Sequence, residues 1–131
     1  MDILNRNNVS NLFYDYLNEY VEKHLSKFTP NKKVQPIRNR SDLVVDWAFP
    51  KTKKGDDLFL FGVKDNSKAK DVTICCLEFK QIHLPFKSII VYENMDDISQ
   101  KEKFRLTNIA DKQFTSLDSF MDQAQEYLKT A

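Results

Sequence analysis

The strongest constraint on the fold is an amphipathic helical stripe near each end of the chain. Apolar residues recur at intervals of three and four from Val9 to Phe28, and again from Leu117 to Leu128. Pro30 prevents the first stripe from continuing as a helix, and Thr115 or Ser116 can cap the start of the second. The chain is therefore predicted to begin and end with a helix that buries one of its faces.

Short apolar runs between the two stripes predict strands. These runs are Leu43–Phe49, Leu58–Val63, Asp71–Lys80 and Ser88–Tyr92, with a loop or short edge strand at 31–42 and a short helix or turn plus an edge strand within 95–114. Their connections are short, which predicts antiparallel pairing because parallel strands need long crossovers. We expect one α+β domain over residues 1–131, with a mostly antiparallel sheet of three to five strands and an N-terminal and a C-terminal amphipathic helix.

The composition favours a globular protein of the cytoplasm. Ten Phe and five Tyr stand against two Gly and four Pro in 131 residues, unlike a linker or a disordered chain. The start, MDILNRNN, does not resemble a secretory leader, and no apolar run approaches the roughly eighteen residues that span a bilayer. Cys75 and Cys76 are neighbours that point to opposite faces of a predicted strand, which suits a reducing compartment.

Several kinds of chemistry are excluded by the residues that the sequence lacks. Gly55 and Gly62 are the only glycines, too few for a phosphate-binding loop. Two adjacent cysteines and the distant His24 and His83 do not have the paired spacing of a structural zinc site. No nucleophile-elbow sequence occurs. The favoured interpretation therefore has no cofactor and no metal.

Positive charge is concentrated in the middle of the chain. Residues 27–70 contain eleven Lys or Arg and five Asp, whereas residues 1–26 contain two basic and four acidic residues, and residues 71–131 contain seven and ten. The candidate binding residues in predicted loops are Lys32, Lys33, Arg38, Arg40, Lys51, Lys53, Lys54, Lys64, Lys68 and Lys70. Either they face an anionic partner, or they belong to an ordinary mixed surface that keeps the protein soluble.

Three residues form a candidate enzyme site. Glu78 and Lys80 make an E-x-K pair on a predicted strand, and Asp46 lies on an earlier strand. Residues 42–80 thereby resemble the PD-(D/E)XK nuclease pattern. The resemblance implies that Asp46 and Glu78 bind Mg²⁺ and that Lys80 steadies the attacking water or the phosphate. The alternative interpretation is an ion pair at the solvated end of a buried strand.

A wider resemblance covers residues 33–94. The run DWAFPKTKKGDDLFLFGVKDNSKAK, followed by LEFK and SIIVYEN, resembles an uncharacterised domain of small bacterial and prophage proteins. The resemblance implies that the protein belongs to a mobile genetic element.

These observations favour a small binding protein of the phage or mobile-element type. We expect it to act by protein–protein interaction, as an inhibitor of a host defence system such as a CRISPR effector, rather than as an enzyme. The expected partner is a protein, with a nucleic-acid-handling complex as one candidate, and no membrane is involved. A Mg²⁺-dependent PD-(D/E)XK-like nuclease or its inactive descendant is the alternative. A homo-oligomer paired through an edge strand at Ser88–Tyr92 is the third interpretation.

Overall fold

A computed structural model describes residues 2–50 and 55–131, with side chains from Leu12 onward, and within them the chain forms one five-stranded sheet between helices. The helices are α1 (Asp2–His24), α2 (Asn66–Gln81), α3 (Gln100–Ile109) and α4 (Leu117–Thr130). The strands are β1 (Asn31–Val34), β2 (Val45–Phe49), β3 (Asp57–Val63), β4 (Phe86–Tyr92) and β5 (Lys112–Phe114). The predicted α+β class is therefore confirmed. The predicted edge strand within 31–42 is β1, and the helix and edge strand predicted within 95–114 are α3 and β5.

The sheet is mixed, so the prediction of mostly antiparallel pairing was wrong. Its strand order is β1-β2-β3-β4-β5. The pairs β1–β2 and β2–β3 are antiparallel, and the pairs β3–β4 and β4–β5 are parallel. Helices α2 and α3 are the crossovers that the parallel pairs require. The strand Ser88–Tyr92 lies in the buried β4, between β3 and β5, and is therefore not the edge that the homo-oligomer interpretation assumed.

The strand predicted at residues 71–80 is part of helix α2. Asp65 caps this helix, since its side chain accepts a hydrogen bond of 2.9 Å from the backbone N–H of Lys68. The buried side of α2 follows helical spacing and consists of Ala69, Val72, Thr73, Cys75, Cys76 and Phe79. Ile74 and Leu77 on its outer side are also apolar, and the segment therefore resembled a strand buried on both faces. Because these residues were predicted to form a strand, the long helical connection between β3 and β4 was missed, and with it the parallel pairing of these two strands.

Helices α1 and α4 cover one face of the sheet. The core on this face includes Phe13, Leu17, Val21, Trp47, Phe49, Leu60, Val91, Phe114, Phe120 and Ala124. Gly62 allows α1 to approach β3 closely, because a Cβ atom at this position would lie 2.8 Å from Cδ2 of Leu17. Ser116 caps α4 as predicted, with its hydroxyl accepting from the N–H of Ser119 at 3.1 Å.

Helices α2 and α3 cover the opposite face. The core there includes Val45, Phe59, Phe61, Val72, Cys76, Phe79, Ile90, Tyr92 and Leu106. None of the helices within the described residues is both long and apolar enough to cross a bilayer. The fold is a three-layer arrangement of helices, sheet and helices.

Candidate functional site

Asp46 is a buried carboxylate at the start of β2, with only 6% of its surface exposed. The backbone N–H of Gly62 donates to its Oδ2 at 2.8 Å, beyond the last paired residues of β2 and β3. The ammonium groups of Lys68 and Lys33 approach the carboxylate at 3.0 and 3.3 Å. Lys33 adopts a left-handed backbone conformation, with φ of 54°, which is uncommon for a residue other than glycine. Both carboxylate oxygens therefore have hydrogen-bond donors.

Tyr14 from α1 closes this cluster on one side. The ammonium of Lys68 lies 5.2 Å from the centre of its ring, and its hydroxyl donates to the carbonyl of Gly62 at 3.4 Å. Burial, reinforced by the nearby Asp46 carboxylate, raises the pKa of Tyr14 well above its usual range. The phenol is therefore neutral at physiological pH and is a hydrogen-bond donor, not a base.

The cavity beside Asp46 is small, at 190 Å³. Its lining adds Asp42 and Asp71, but the described residues contain no group of three or more His, Cys, Asp or Glu that could hold a metal ion. Two lysines already neutralise Asp46. Within the described residues, Asp46 is therefore a buried carboxylate paired with two lysines.

The other two residues of the predicted nuclease site are held by other partners. Glu78 lies on α2, where its carboxylate is 3.7 Å from the guanidinium of Arg40. Lys80 is also on α2, and its ammonium donates to the backbone carbonyl of Ile109 at 3.1 Å. The E-x-K pair was expected on a strand, where alternate residues share a face. On a helix, residues two apart point in different directions.

Most of the candidate basic residues that the structure describes are engaged with acidic neighbours. Five of them form ion pairs: Lys33 and Lys68 with Asp46, Lys32 with Glu22, Arg40 with Asp42, and Lys64 with Asp65. The other two are Lys70, which lies on α2, and Arg38, which lies in the loop before β2. Lys51, Lys53 and Lys54 lie outside the described residues. The turn predicted at residues 64–70 is mostly the first turn of α2.

Neither a protein-family model, nor a curated protein, nor a solved structure matches this chain.

A groove of 460 Å³ runs between α2 and α3. It is lined by Lys70, Thr73, Ile74, Leu77, Glu102, Arg105, Asn108 and Ile109. Ile74 and Leu77 lie about one helical turn apart on its wall and are 52% and 51% exposed. An apolar groove of this volume with a few polar groups is typical of a binding site.

Glu102 lines this groove and has a buried acceptor without a partner. Its side chain is 3% exposed, and Oε1 has no hydrogen-bond partner. Its other carboxylate oxygen, Oε2, lies 3.6 Å from the guanidinium of Arg105. A buried polar atom without a partner is uncommon in folded proteins and carries a substantial free-energy cost.

The reason for this unpaired oxygen lies at the start of α3. Ser99 caps the helix, and its hydroxyl accepts from the N–H of Glu102, as in a capping box. In that motif the Glu at this position normally accepts from the N–H of the cap residue in return. Here the side-chain oxygen of Asn66 accepts the N–H of Ser99 at 2.9 Å. The Glu102 carboxylate thereby loses its usual local partner.

A second groove lies on the opposite face, between α1 and α4. It encloses 340 Å³ and is lined by Tyr16, Glu19, Tyr20, Lys23, His24, Leu117, Asp118 and Met121. Three of its polar groups have partners: the hydroxyl of Tyr20 donates to the carbonyl of Met121 at 2.9 Å, and Lys23 pairs with Glu19 at 2.7 Å. This groove serves as the internal comparison for the α2–α3 groove.

Proposed function

We propose that this protein is a binding module that engages a protein partner through the α2–α3 groove. The observation that carries this proposal is the pair of half-exposed apolar side chains, Ile74 and Leu77, on the wall of this groove. Apolar side chains clustered around a concave surface are typical of protein interfaces. A partner that covers them would remove both from water.

The charge at the rim of the groove favours an acidic partner segment. Lys70 and Arg105 line the groove and are exposed, whereas Glu102 is its single acidic lining residue and is buried. Opposite charge on the partner would steer the encounter and fix its orientation. We therefore propose an amphipathic acidic segment with an apolar side as the occupant.

Inhibition of a host defence system, such as a CRISPR effector, is the biological setting that we propose for this binding. Its support is the resemblance of residues 33–94 to a domain of small bacterial and prophage proteins, together with the uneven charge along the chain. A nucleic-acid-handling complex is one candidate for the protein partner. The proposed mode of action is to mask a surface of that complex, without covalent chemistry.

The nuclease alternative has weaker support than the binding proposal. Asp46 is buried beside lysines, as a catalytic carboxylate can be, but its neighbour on β3 is Gly62 and supplies no second carboxylate. Glu78 and Lys80 have other partners. We expect the purified protein to leave DNA and RNA intact with Mg²⁺ or Mn²⁺, and cleavage that Asp46→Ala abolishes would reverse this ranking.

The binding proposal is tested by capture from lysate of the native host. Tagged wild-type protein and the Leu77→Asp and Tyr16→Asp variants are incubated with nuclease-treated lysate, and the captured proteins are quantified by mass spectrometry. Leu77 and Tyr16 are similarly exposed, at 51% and 54%, but line grooves on opposite faces. We expect one stoichiometric protein that Leu77→Asp reduces by about tenfold or more and that Tyr16→Asp retains.

Two results would contradict the proposal. If Tyr16→Asp abolishes capture and Leu77→Asp does not, the α1–α4 groove is the interface. If all three proteins capture the same set, the α2–α3 groove has no protein partner in that lysate. Both substitutions are at exposed positions, so thermal unfolding should show similar midpoints for the three proteins.

A further inference from the structure

The unpaired oxygen of Glu102 indicates what chemistry the groove can recognise. Oε1 is buried, lacks a donor and belongs to a residue that lines the α2–α3 groove. Because Oε1 itself is buried, a group that enters the groove with an N–H or O–H would satisfy this acceptor once the Glu102 side chain turns toward it. Because the free protein leaves it unsatisfied, the hydrogen bond would add to binding without displacing an existing intramolecular bond.

The neighbouring charges favour a neutral donor over a cationic one. Arg105 lies 3.6 Å from the other oxygen of Glu102, and Lys70 lines the same groove. The side-chain charges of these three residues sum to +1. A lysine or arginine from a partner would therefore enter a region that is already positive, whereas a neutral N–H or O–H would meet no such repulsion.

The walls of the groove favour an aromatic body around that donor. Ile74, Leu77 and Ile109 give it apolar surface, and its volume of 460 Å³ lies in the range of ordinary ligand pockets. Trp and Tyr combine a large apolar ring with a single polar donor, and they are enriched among the residues that dominate protein interfaces.

We propose that the α2–α3 groove receives a Trp or Tyr side chain of the partner, whose ring lies against Ile74 and Leu77 and whose N–H or O–H donates to Oε1 of Glu102. This inference rests on the proposed function, since it names the anchor of the same protein partner. Acidic residues beside the anchor would face Lys70 and Arg105.

The inference can be tested with small probes before any partner is identified. Indole has the ring and the N–H donor of Trp, whereas N-methylindole has a similar ring and no donor. Each is titrated into ¹⁵N-labelled full-length protein, and the amide shifts of Thr73, Ile74, Leu77 and Asn108 report occupancy of the groove. We expect indole to bind about tenfold more tightly than N-methylindole, the ratio that one hydrogen bond to a charged acceptor typically gives.

Two variants separate the hydrogen bond from the shape of the groove. Glu102→Met removes the acceptor and keeps a long side chain, so we expect indole affinity to fall about tenfold and the preference over N-methylindole to disappear. Glu102→Gln keeps an oxygen acceptor and should retain a preference. Glu102→Met should also raise the Tm by about 3–8 °C, because it removes an unpaired buried acceptor.

The outcomes distinguish this inference from the proposed function. Equal affinities for the two probes in the wild type, shifts outside the groove, or binding of neither probe would overturn the inference. A clear drop in Tm for Glu102→Met would also overturn it, because the carboxylate would then be required by the fold. A preference for indole that persists while lysate capture is unaffected by Leu77→Asp would reject the protein partner and leave the acceptor role of Glu102 intact.

Discussion

Two buried carboxylates lie on the α2–α3 side of the sheet, and their surroundings differ. Asp46 at the start of β2 binds two lysines and the N–H of Gly62, so both of its oxygens have donors. Glu102 in the α2–α3 groove has a nearby Arg105, but its Oε1 has no partner. Burial alone therefore does not identify a functional carboxylate. The distinguishing feature is whether the fold satisfies the buried group by itself.

The largest effect that this comparison predicts is the loss of Asp46. Asp46→Ala leaves the N–H of Gly62 without its acceptor and two lysines without their shared anion, so we expect a loss of about 2–4 kcal/mol in the free energy of unfolding. Asp46→Asn keeps an oxygen for Gly62 and should lose about half as much. Urea denaturation measures both. If Asp46→Ala is neutral, or if Glu102→Met destabilises as strongly, the contrast between the two carboxylates fails.

A smaller loss is expected at Gly62, which supplies the backbone donor to Asp46. Gly62→Ala brings a methyl group within 2.8 Å of Leu17 Cδ2, and we expect a loss of about 1–3 kcal/mol from overpacking. The control is the same substitution in a Leu17→Ala background, where the contact is absent. A double-mutant cycle should give a coupling of about 1 kcal/mol. Additive losses would show that the contact with Leu17 is not the source of the overpacking.

The two lysines beside Asp46 should differ in importance. The side chain of Lys68 is 26% exposed and that of Lys33 is 60% exposed, so water screens the second pair more strongly. We expect Lys68→Met to lower the free energy of unfolding by about 1 kcal/mol and Lys33→Met by about 0.3 kcal/mol. Chemical denaturation of both variants under identical conditions tests the order. A larger loss for Lys33→Met than for Lys68→Met would show that Lys33, on β1, is the main partner of Asp46.

The smallest expected effect on stability comes from two thiols on the buried side of α2, and it emerges only at alkaline pH. Burial, reinforced by nearby acidic residues, raises the pKa of Cys75 to about 11, and burial next to Cys75 raises that of Cys76 to about 12, from an ordinary value of 9.0. A raised pKa means that the folded state holds the proton more tightly. The associated stability is complete below pH 9 and is lost as the pH rises through 11 and 12.

The Tm should therefore fall between pH 9 and pH 11, and fall less steeply in a variant with Cys75→Ala and Cys76→Ala. The comparison uses slopes, because the substitutions also leave small cavities. Burial also raises the pKa of Tyr92 to about 12, so the variant should keep part of the decline. Parallel slopes for the two proteins would mean that the thiols do not contribute.

The sequence predicted the parts of the fold that depend on local patterns. The terminal helical stripes became α1 and α4, and the apolar runs at β2, β3 and β4 are strands. Helix α2 was missed because Ile74 and Leu77, the residues now exposed on its outer side, made the segment apolar on both faces. The feature that obscured the helix is thus the one that supports the binding proposal.

The candidate site was only partly accessible to sequence reasoning. The spacing of Ser99 and Glu102 is a capping-box signature, so a local signal for the start of α3 was present. That signature predicts a satisfied Glu102. Only the hydrogen bond from the N–H of Ser99 to Asn66, 33 positions earlier, reveals that the carboxylate is unpaired. Contacts this far apart in the chain depend on the tertiary fold.

Helices α2 and α3 are tied to each other at both ends of the pair. Asn66 binds the N–H of Ser99 where the helices begin, and Lys80 binds the carbonyl of Ile109 near where they end. These two hydrogen bonds hold the spacing of the helices in the free protein. If the groove binds a partner segment as proposed, it would be largely preformed, and the conformational entropy lost on association would fall mainly on the segment that enters it.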